Sequence, residues 1–405
     1  MKFGKWARLL PGFLLVLTPF FEGCGDFWQN PGTTGSGGGT TSTTLSSGVF
    51  YVLNSLTNYQ IVAYQINSGS LTTIDSYTLS AQPYAIAIGP GNGFLYVSTE
   101  AGIFLYTIES SGALKIGNGG SAISTDIAQA IQVNTNGTWL VDAETGTSGV
   151  IVNAISINPN TGALNSNVEE SQSYVVANPS VGKMALSGDD LNIFLTVGTG
   201  GTLVIPFNSG NGNPLAATAK VISPVVSGAT ALSVAVDPVT STTTTPRLFY
   251  IGETEASSDS GGLRAFEYSS LSNGTVTEIA GSPYAAGGLA PAAILPDATG
   301  SYVYVASGQG TSNGVIQGFN IASNTSGSTP TYTLSSISTV STGILPEGLA
   351  EDSDSNFVLA VSSGGSYDLE AYIFDTTTAG KLDDSINSST GTDPTGAVAV
   401  AALAP

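Results

Sequence analysis

QPYAIAIGPGNGFLYVSTEAGIFLYTIESSGAL, residues 82–114, reads as four short strands in succession. PYAIAI is the first and ends at the turn Gly89-Pro90-Gly91-Asn92-Gly93. FLYVS is the second, GIFLYTIE the third, and a Ser-Ser-Gly turn leads into the fourth at Leu114. Apolar residues alternate or run briefly between clusters of Gly, Pro, Asn and Ser, which is the pattern of strands punctuated by tight turns.

The same paragraph recurs. Aligned on its second strand, the chain holds seven copies: VFYVLNS from Val49, FLYVSTE from Phe94, TWLVDAE from Thr138, NIFLTVG from Asn192, RLFYIGE from Arg247, SYVYVAS from Ser301 and NFVLAVS from Asn356. The spacing of roughly 45–55 residues is the period of a four-stranded propeller blade. A fourth strand often begins at a Gly-x-Leu turn, as at Gly69-Ser70-Leu71, Gly112-Ala113-Leu114, Gly162-Ala163-Leu164 and Gly380-Lys381-Leu382. The first strands (YAIAI, IAQAIQV, GKMALS, ALSVAV, PAAIL, EGLAE, GAVAVAA) are rich in Ala and Gly, as strands crowded around a common axis would be. Proline precedes or opens several of them (Pro83, Pro179, Pro291, Pro346, Pro394), where no ladder donor is needed. The copy at Val49 lacks a first strand, and GAVAVAALAP at the C-terminus is a first strand with nothing after it. The two halves complete one blade and would close the ring, leaving no open edge. The expected fold is therefore all-β: a single seven-bladed propeller over residues 48–405. Tyr51, Tyr96, Tyr250 and Tyr304 recur in the second strand and read as packing between blades.

Composition agrees. Only 9% of the 405 residues are charged, and Gly alone numbers 51, which favours turn-rich β-structure over helices. The net charge of −20 repels phosphate backbones and excludes nucleic-acid binding. There is no histidine.

Lys2, Lys5 and Arg8 precede the apolar run LLPGFLLVLTPFF, residues 9–21, which is too short for a standard membrane span. Phe21-Glu22-Gly23-Cys24 follows and holds the chain's single cysteine. Residues 1–23 resemble a bacterial lipoprotein signal, with Cys24 as the lipidated residue; Gly23 fits that pattern, and Phe21 and Glu22 depart from it. Residues 24–47 are dominated by Gly, Ser and Thr and read as a flexible tether. The expected location is the cell envelope, periplasmic or cell-surface, with membrane contact only through the lipid, and the expected state is a monomer.

Seven such blades, with Gly-x-Leu after the third strand and Pro before the first, resemble the seven-bladed propeller lactonase family, which includes 6-phosphogluconolactonase-like proteins and carboxy-muconate cyclases. The resemblance spans about residues 48–405 and implies lactone opening or formation at one end of a central channel, using a histidine, a carboxylate and arginines. This chain departs there. Without histidine, imidazole general-base chemistry is excluded. After Cys24 the arginines are Arg247 and Arg264, in a second and a third strand and away from the inner strands. No catalytic residue of the family carries over to a numbered position.

Loops of one propeller face collect acids: Glu100, Asp142, Glu144, Glu253, Glu255, Asp259 and Glu347. Glu347 opens an inner strand after Pro346 and is expected at the channel mouth. Glu100, Glu144, Glu253 and Glu347 are the candidate ligand or metal residues. Converging carboxylates could hold Ca2+, which takes six to eight oxygens; one carboxylate of raised pKa could instead act as a general base on a lactone. The run Glu351-Asp352-Ser353-Asp354 falls on the other face and reads as a solvated turn. The leading expectation is a non-catalytic binding or scaffold module with a small molecule, glycan or envelope protein as partner. The alternative is a lactonase-like hydrolase or cyclase that works with carboxylates.

Overall fold

The second strand of every repeat is apolar on both faces, so it must be covered on both faces. The computed structural model of the chain covers it with the two neighbouring blades. It describes residues 48–404 except 57, 68, 240–245, 258–259, 270–275, 325–330, 389–392 and 395. The expected signal with Cys24 and the tether lie outside the described residues. All described residues belong to one compact unit, Thr44–Pro405.

Among the described residues the strands form seven antiparallel sheets, six of four strands and one of five. From the inside outward, blade 1 is Ala397–Ala402, Val49–Asn54, Gln60–Asn67 and Ser70–Thr78. Blade 2 is Pro83–Ile88, Phe94–Thr99, Gly102–Ile108 and Leu114–Ile116. Blade 3 is Ala130–Val133, Trp139–Thr145, Gly149–Ile157 and Leu164–Val175. Blade 4 is Met184–Leu186, Asn192–Thr196, Thr202–Pro206 and Lys220–Ile222. Blade 5 is Ala231–Val236, Arg247–Ser257, Ser260–Tyr268 and Thr277–Glu278, with Tyr284–Ala285 also paired to its third strand. Blade 6 is Ala290–Pro296, Tyr302–Gln309, Ser312–Asn324 and Thr331–Ser341. Blade 7 is Ile344–Glu351, Phe357–Gly364, Leu369–Phe374 and Leu382–Asn387.

Each innermost strand contacts the next all the way round, and the C-terminal strand lies between those of blades 7 and 2. It pairs antiparallel with Val49–Asn54, placing Phe50 opposite Ala402 and Leu53 opposite Ala399. The ring is closed as the unmatched halves at the two ends predict, and the small side chains of the inner strands are what let seven of them surround one axis.

The core is distributed rather than central. Alternate residues of a strand face opposite sides, so Phe50 and Val52 pack toward blade 7 while Val49, Tyr51 and Leu53 pack toward blade 2. One apolar cluster fills each of the seven interfaces between blades. A fully buried Val, Leu or Phe contributes about 1.5–3 kcal/mol, and each second strand supplies several.

The tyrosines do more than pack. Tyr51 Oη donates to Gly112 O at 2.9 Å, Tyr96 Oη to Gly162 O at 2.8 Å and Tyr304 Oη to Gly380 O at 2.7 Å. Each acceptor is the glycine of the Gly-x-Leu turn in the following blade, so the motif ties neighbours together. The glycine is required twice over at Gly162 and Gly380. Both have positive φ, +70° and +73°, and a Cβ would meet the ring of Phe94 at 2.6 Å or of Tyr302 at 2.2 Å. Tyr250 Oη is buried without a hydrogen-bond partner among the described residues.

A second repeated device closes the turn after the inner strand. Asn134 Oδ1, Ser187 Oγ, Asp297 Oδ1 and Asp352 Oδ1 each accept the backbone N–H groups four and five residues ahead. Asp352 is only 4% exposed, which corrects its reading as part of a solvated turn: its oxygen replaces water as partner for Asn356 N and Phe357 N.

Candidate functional site in the central channel

The inner strands of all seven blades line a cavity of about 460 Å³ on the ring axis. Its wall is mostly Ala, Ile, Val, Leu and Gly, because little else fits there. Into it project Lys183 from the segment entering the inner strand of blade 4 and Glu347 from the inner strand of blade 7. In a ring of seven, blades 4 and 7 are as far apart as two blades can be. The ammonium and the carboxylate therefore face one another across the channel. They do not form an ion pair within 4.0 Å, unlike Arg264 with Glu253 and Glu278 or Lys381 with Asp375.

Both groups are half-buried. Burial pushes the Glu347 carboxyl above its ordinary value, opposed by Lys183 and by a 3.4 Å hydrogen bond that Ser363 Oγ donates to Glu347 Oε1. Burial pulls the Lys183 ammonium below its ordinary value, opposed by Glu347. Each charge thus steadies the other at long range. The remaining polar wall is largely engaged in the fold. Ser233 Oγ donates to Pro291 O at 2.7 Å, and Gln129 donates to Ile127 O and accepts from Thr145 N. Lys183 is the one basic residue among those lining the cavity.

The four candidate acids do not converge. Glu347 reaches the channel as expected. Glu100 is exposed in the turn between the second and third strands of blade 2. Glu253 is not in a loop; it lies inside a second strand, fully buried, with Oε1 2.9 Å from Arg264 Nη1 and Oε2 accepting Val225 N at 2.9 Å. Arg264 also donates Nε and Nη2 to Glu278, Nη1 to Ser223 O, and stacks over Phe266. Glu253 is therefore a structural anion. Glu144 also lies within a second strand, and it meets Asp142 and Asp126 between blades 2 and 3. Burial and the charges of Asp126, Glu144 and Glu169 push the Asp142 carboxyl well above the ordinary range, against a hydrogen bond from Asn153. Asp259 lies outside the described residues.

Lys183 and Asp126 are not among the candidates that the acids of the loops supply. A signal for each exists. GKMALS is an inner-strand segment, so its lysine belongs near the channel. Asp126 precedes the inner strand of blade 3 on the same face as Asp142 and Glu144.

No protein-family profile and no curated protein sequence matches the chain. Solved structures do. A candidate 6-phosphogluconolactonase of Bacteroides fragilis aligns with a TM-score of 0.65 and 16% identity over 89% of this chain and 99% of that one. A second, from Bacteroides uniformis, aligns at 0.65 and 17% over 88% and 99%. A functionally unknown protein of Desulfotomaculum acetoxidans aligns at 0.63 and 12% over 89% and 100%. The chain is thus a seven-bladed β-propeller of the architecture these proteins share, and at such identities the likeness is one of fold.

Proposed function

We propose that this propeller is an exported, lipid-anchored module of the cell envelope that binds a small polar molecule in its central channel without transforming it. The observation that carries the reading is the opposition of Lys183 and Glu347, the two charged side chains of a cavity whose wall is mostly small and apolar. A cavity of a few hundred Å³ with few, well-placed polar groups is the usual form of a small-ligand site. The ligand that fits carries an anionic group for Lys183 and hydroxyls or an amine for Glu347. Calorimetry with a hydroxy-acid series (glycolate, lactate, gluconate) and the matching amino acids tests it. Binding by one series, weakened roughly tenfold or more in Glu347→Gln and in Lys183→Met, is the expected result. Absence of heat from every compound, or binding indifferent to both variants, refutes the channel as the site.

A second reading, lactone hydrolysis, is favoured by one feature. Glu347 is a carboxylate of raised pKa facing a cation. As a base it would take a proton from water attacking the lactone carbonyl, while Lys183 holds the oxyanion; the ring C–O bond then breaks and the proton passes to the leaving alkoxide. A single lysine suits an unphosphorylated lactone better than a sugar phosphate. Turnover would rise with pH as Glu347 ionises, at a value above the ordinary 4.5. It would fall as Lys183 deprotonates, at a value below the ordinary 10.5. Turnover of gluconolactone with that bell, abolished in Glu347→Gln, replaces the binding reading; a flat baseline retains it.

The envelope location has its own test. Cys24→Ser is expected to shift the protein from the membrane fraction to the soluble one and to abolish labelling by a palmitate analogue. Equal partitioning of parent and variant removes the anchor.

A further inference from the structure

We infer that the pocket formed by Asp126, Asp142 and Glu144 between blades 2 and 3 is a binding site for a hard divalent cation, Ca2+ by its donor set. One carboxylate oxygen from each residue lies within 4.8 Å of the other two. Two oxygens bound to one Ca2+ at about 2.4 Å can be no more than about 4.8 Å apart, so the three lie within reach of a single ion. The donors are all oxygen, with no sulfur or imidazole to favour a softer metal.

A second observation points to a ligand. Asp142 is 0% exposed, and its Oδ2 has no hydrogen-bond partner, while Oδ1 accepts Asn153 Nδ2 at 2.9 Å. A buried acceptor left bare is uncommon, and this one belongs to one of three clustered acids, where a cation would supply the partner it lacks. None of the ion pairs among the described residues involves them. Asp142 and Glu144 alternate with Ala143 along one strand and so share a face, the one that Leu140 turns toward blade 2. Asp126 arrives on the connection from blade 2, which is pinned by the bridge of Ser124 to Ile103. The fold thus fixes all three oxygens from two elements. Asp126 and Glu144 remain half-exposed, which leaves a path for the ion and room for water to complete its shell. Glu169 is near enough for its charge to act on both Asp142 and Glu144. The site is independent of the channel, and bridging blade 3 to the loop from blade 2 would brace that interface.

The test is calorimetric titration of the chelator-treated full chain with CaCl2 alone, followed by thermal melts in EDTA and in Ca2+. One site is expected, weakened at least tenfold in Asp142→Asn and in Glu144→Gln and unchanged in Glu347→Gln. Saturating Ca2+, at about a hundredfold excess over Kd, is expected to raise the parent Tm by about 4 °C. The melts add a sign that a merely protonated Asp142 does not produce. In EDTA, Asp142→Asn melts above the parent, because a buried uncompensated carboxylate is gone; in Ca2+ the order reverses. If Asp142→Asn fails to fold, half-exposed Glu144→Gln carries the comparison. Lack of Ca2+ heat in the parent overturns the inference. So does binding that survives in the pocket variant, or binding lost only in Glu347→Gln.

Discussion

A chain shortened by residues 394–405 is expected to lose its cooperative melt or to unfold far below the parent. The segment is the innermost strand of blade 1, and removing it does three things. It strips the hydrogen-bonding partner from Val49–Asn54, leaving an open sheet edge inside the ring. It empties the places of Ala397 and Leu403, 0% and 3% exposed, in the clusters that join blade 1 to blades 7 and 2. It also leaves the inner strands of blades 7 and 2 without the neighbour each of them touches. Losing one buried Leu side chain costs about 2–5 kcal/mol. With the ladder and the second interface added, the loss is of the order of the whole stability of a typical domain, about 5–15 kcal/mol. Urea melts followed by tryptophan fluorescence measure it. Adding the 394–405 peptide in trans is expected to restore part of the transition. A truncated chain that melts with the parent contradicts closure by this strand.

Arg264→Met is expected to be the most damaging single substitution away from the channel. The change leaves the Glu253 carboxylate at 0% exposure with only Val225 N opposite it, and takes from Glu278 its two guanidinium bonds. Breaking one side of a buried ion pair costs about 3–5 kcal/mol, because the stranded charge cannot reach water. The double variant Arg264→Met, Glu253→Gln is expected to recover much of that loss, since no charge is then stranded. Urea midpoints of the parent, the single and the double variant read the loss and its recovery. A loss below about 1 kcal/mol, or a double variant no better than the single, would show that Glu253 reaches another partner.

How much of this was legible beforehand follows from which interactions are local. Strand alternation, the Gly-x-Leu turns and the proline-led inner strands are written in short windows, so the seven repeats from Val49 to Asn356 and the pairing of the two ends could be read directly. The recurrent tyrosines were legible as interface residues. That three of them donate to a turn glycine of the next blade was not, because that hydrogen bond joins residues at least 61 positions apart.

The chain alone determined a closed seven-bladed β-propeller, the smallness of its channel wall, the absence of imidazole chemistry and the arrival of Glu347 at the axis. Tertiary structure decided what the acids do. Glu100, Glu144 and Glu253 occupy corresponding stretches of three blades, yet strand parity and neighbouring cations send them to different fates. Glu100 turns to solvent, Glu144 joins two aspartates between blades, and Glu253 is buried against Arg264. Lys183 meets Glu347 only because the ring brings blade 4 opposite blade 7. A period of two along a strand says which face a side chain takes; only closure of the ring says which charge stands across from it.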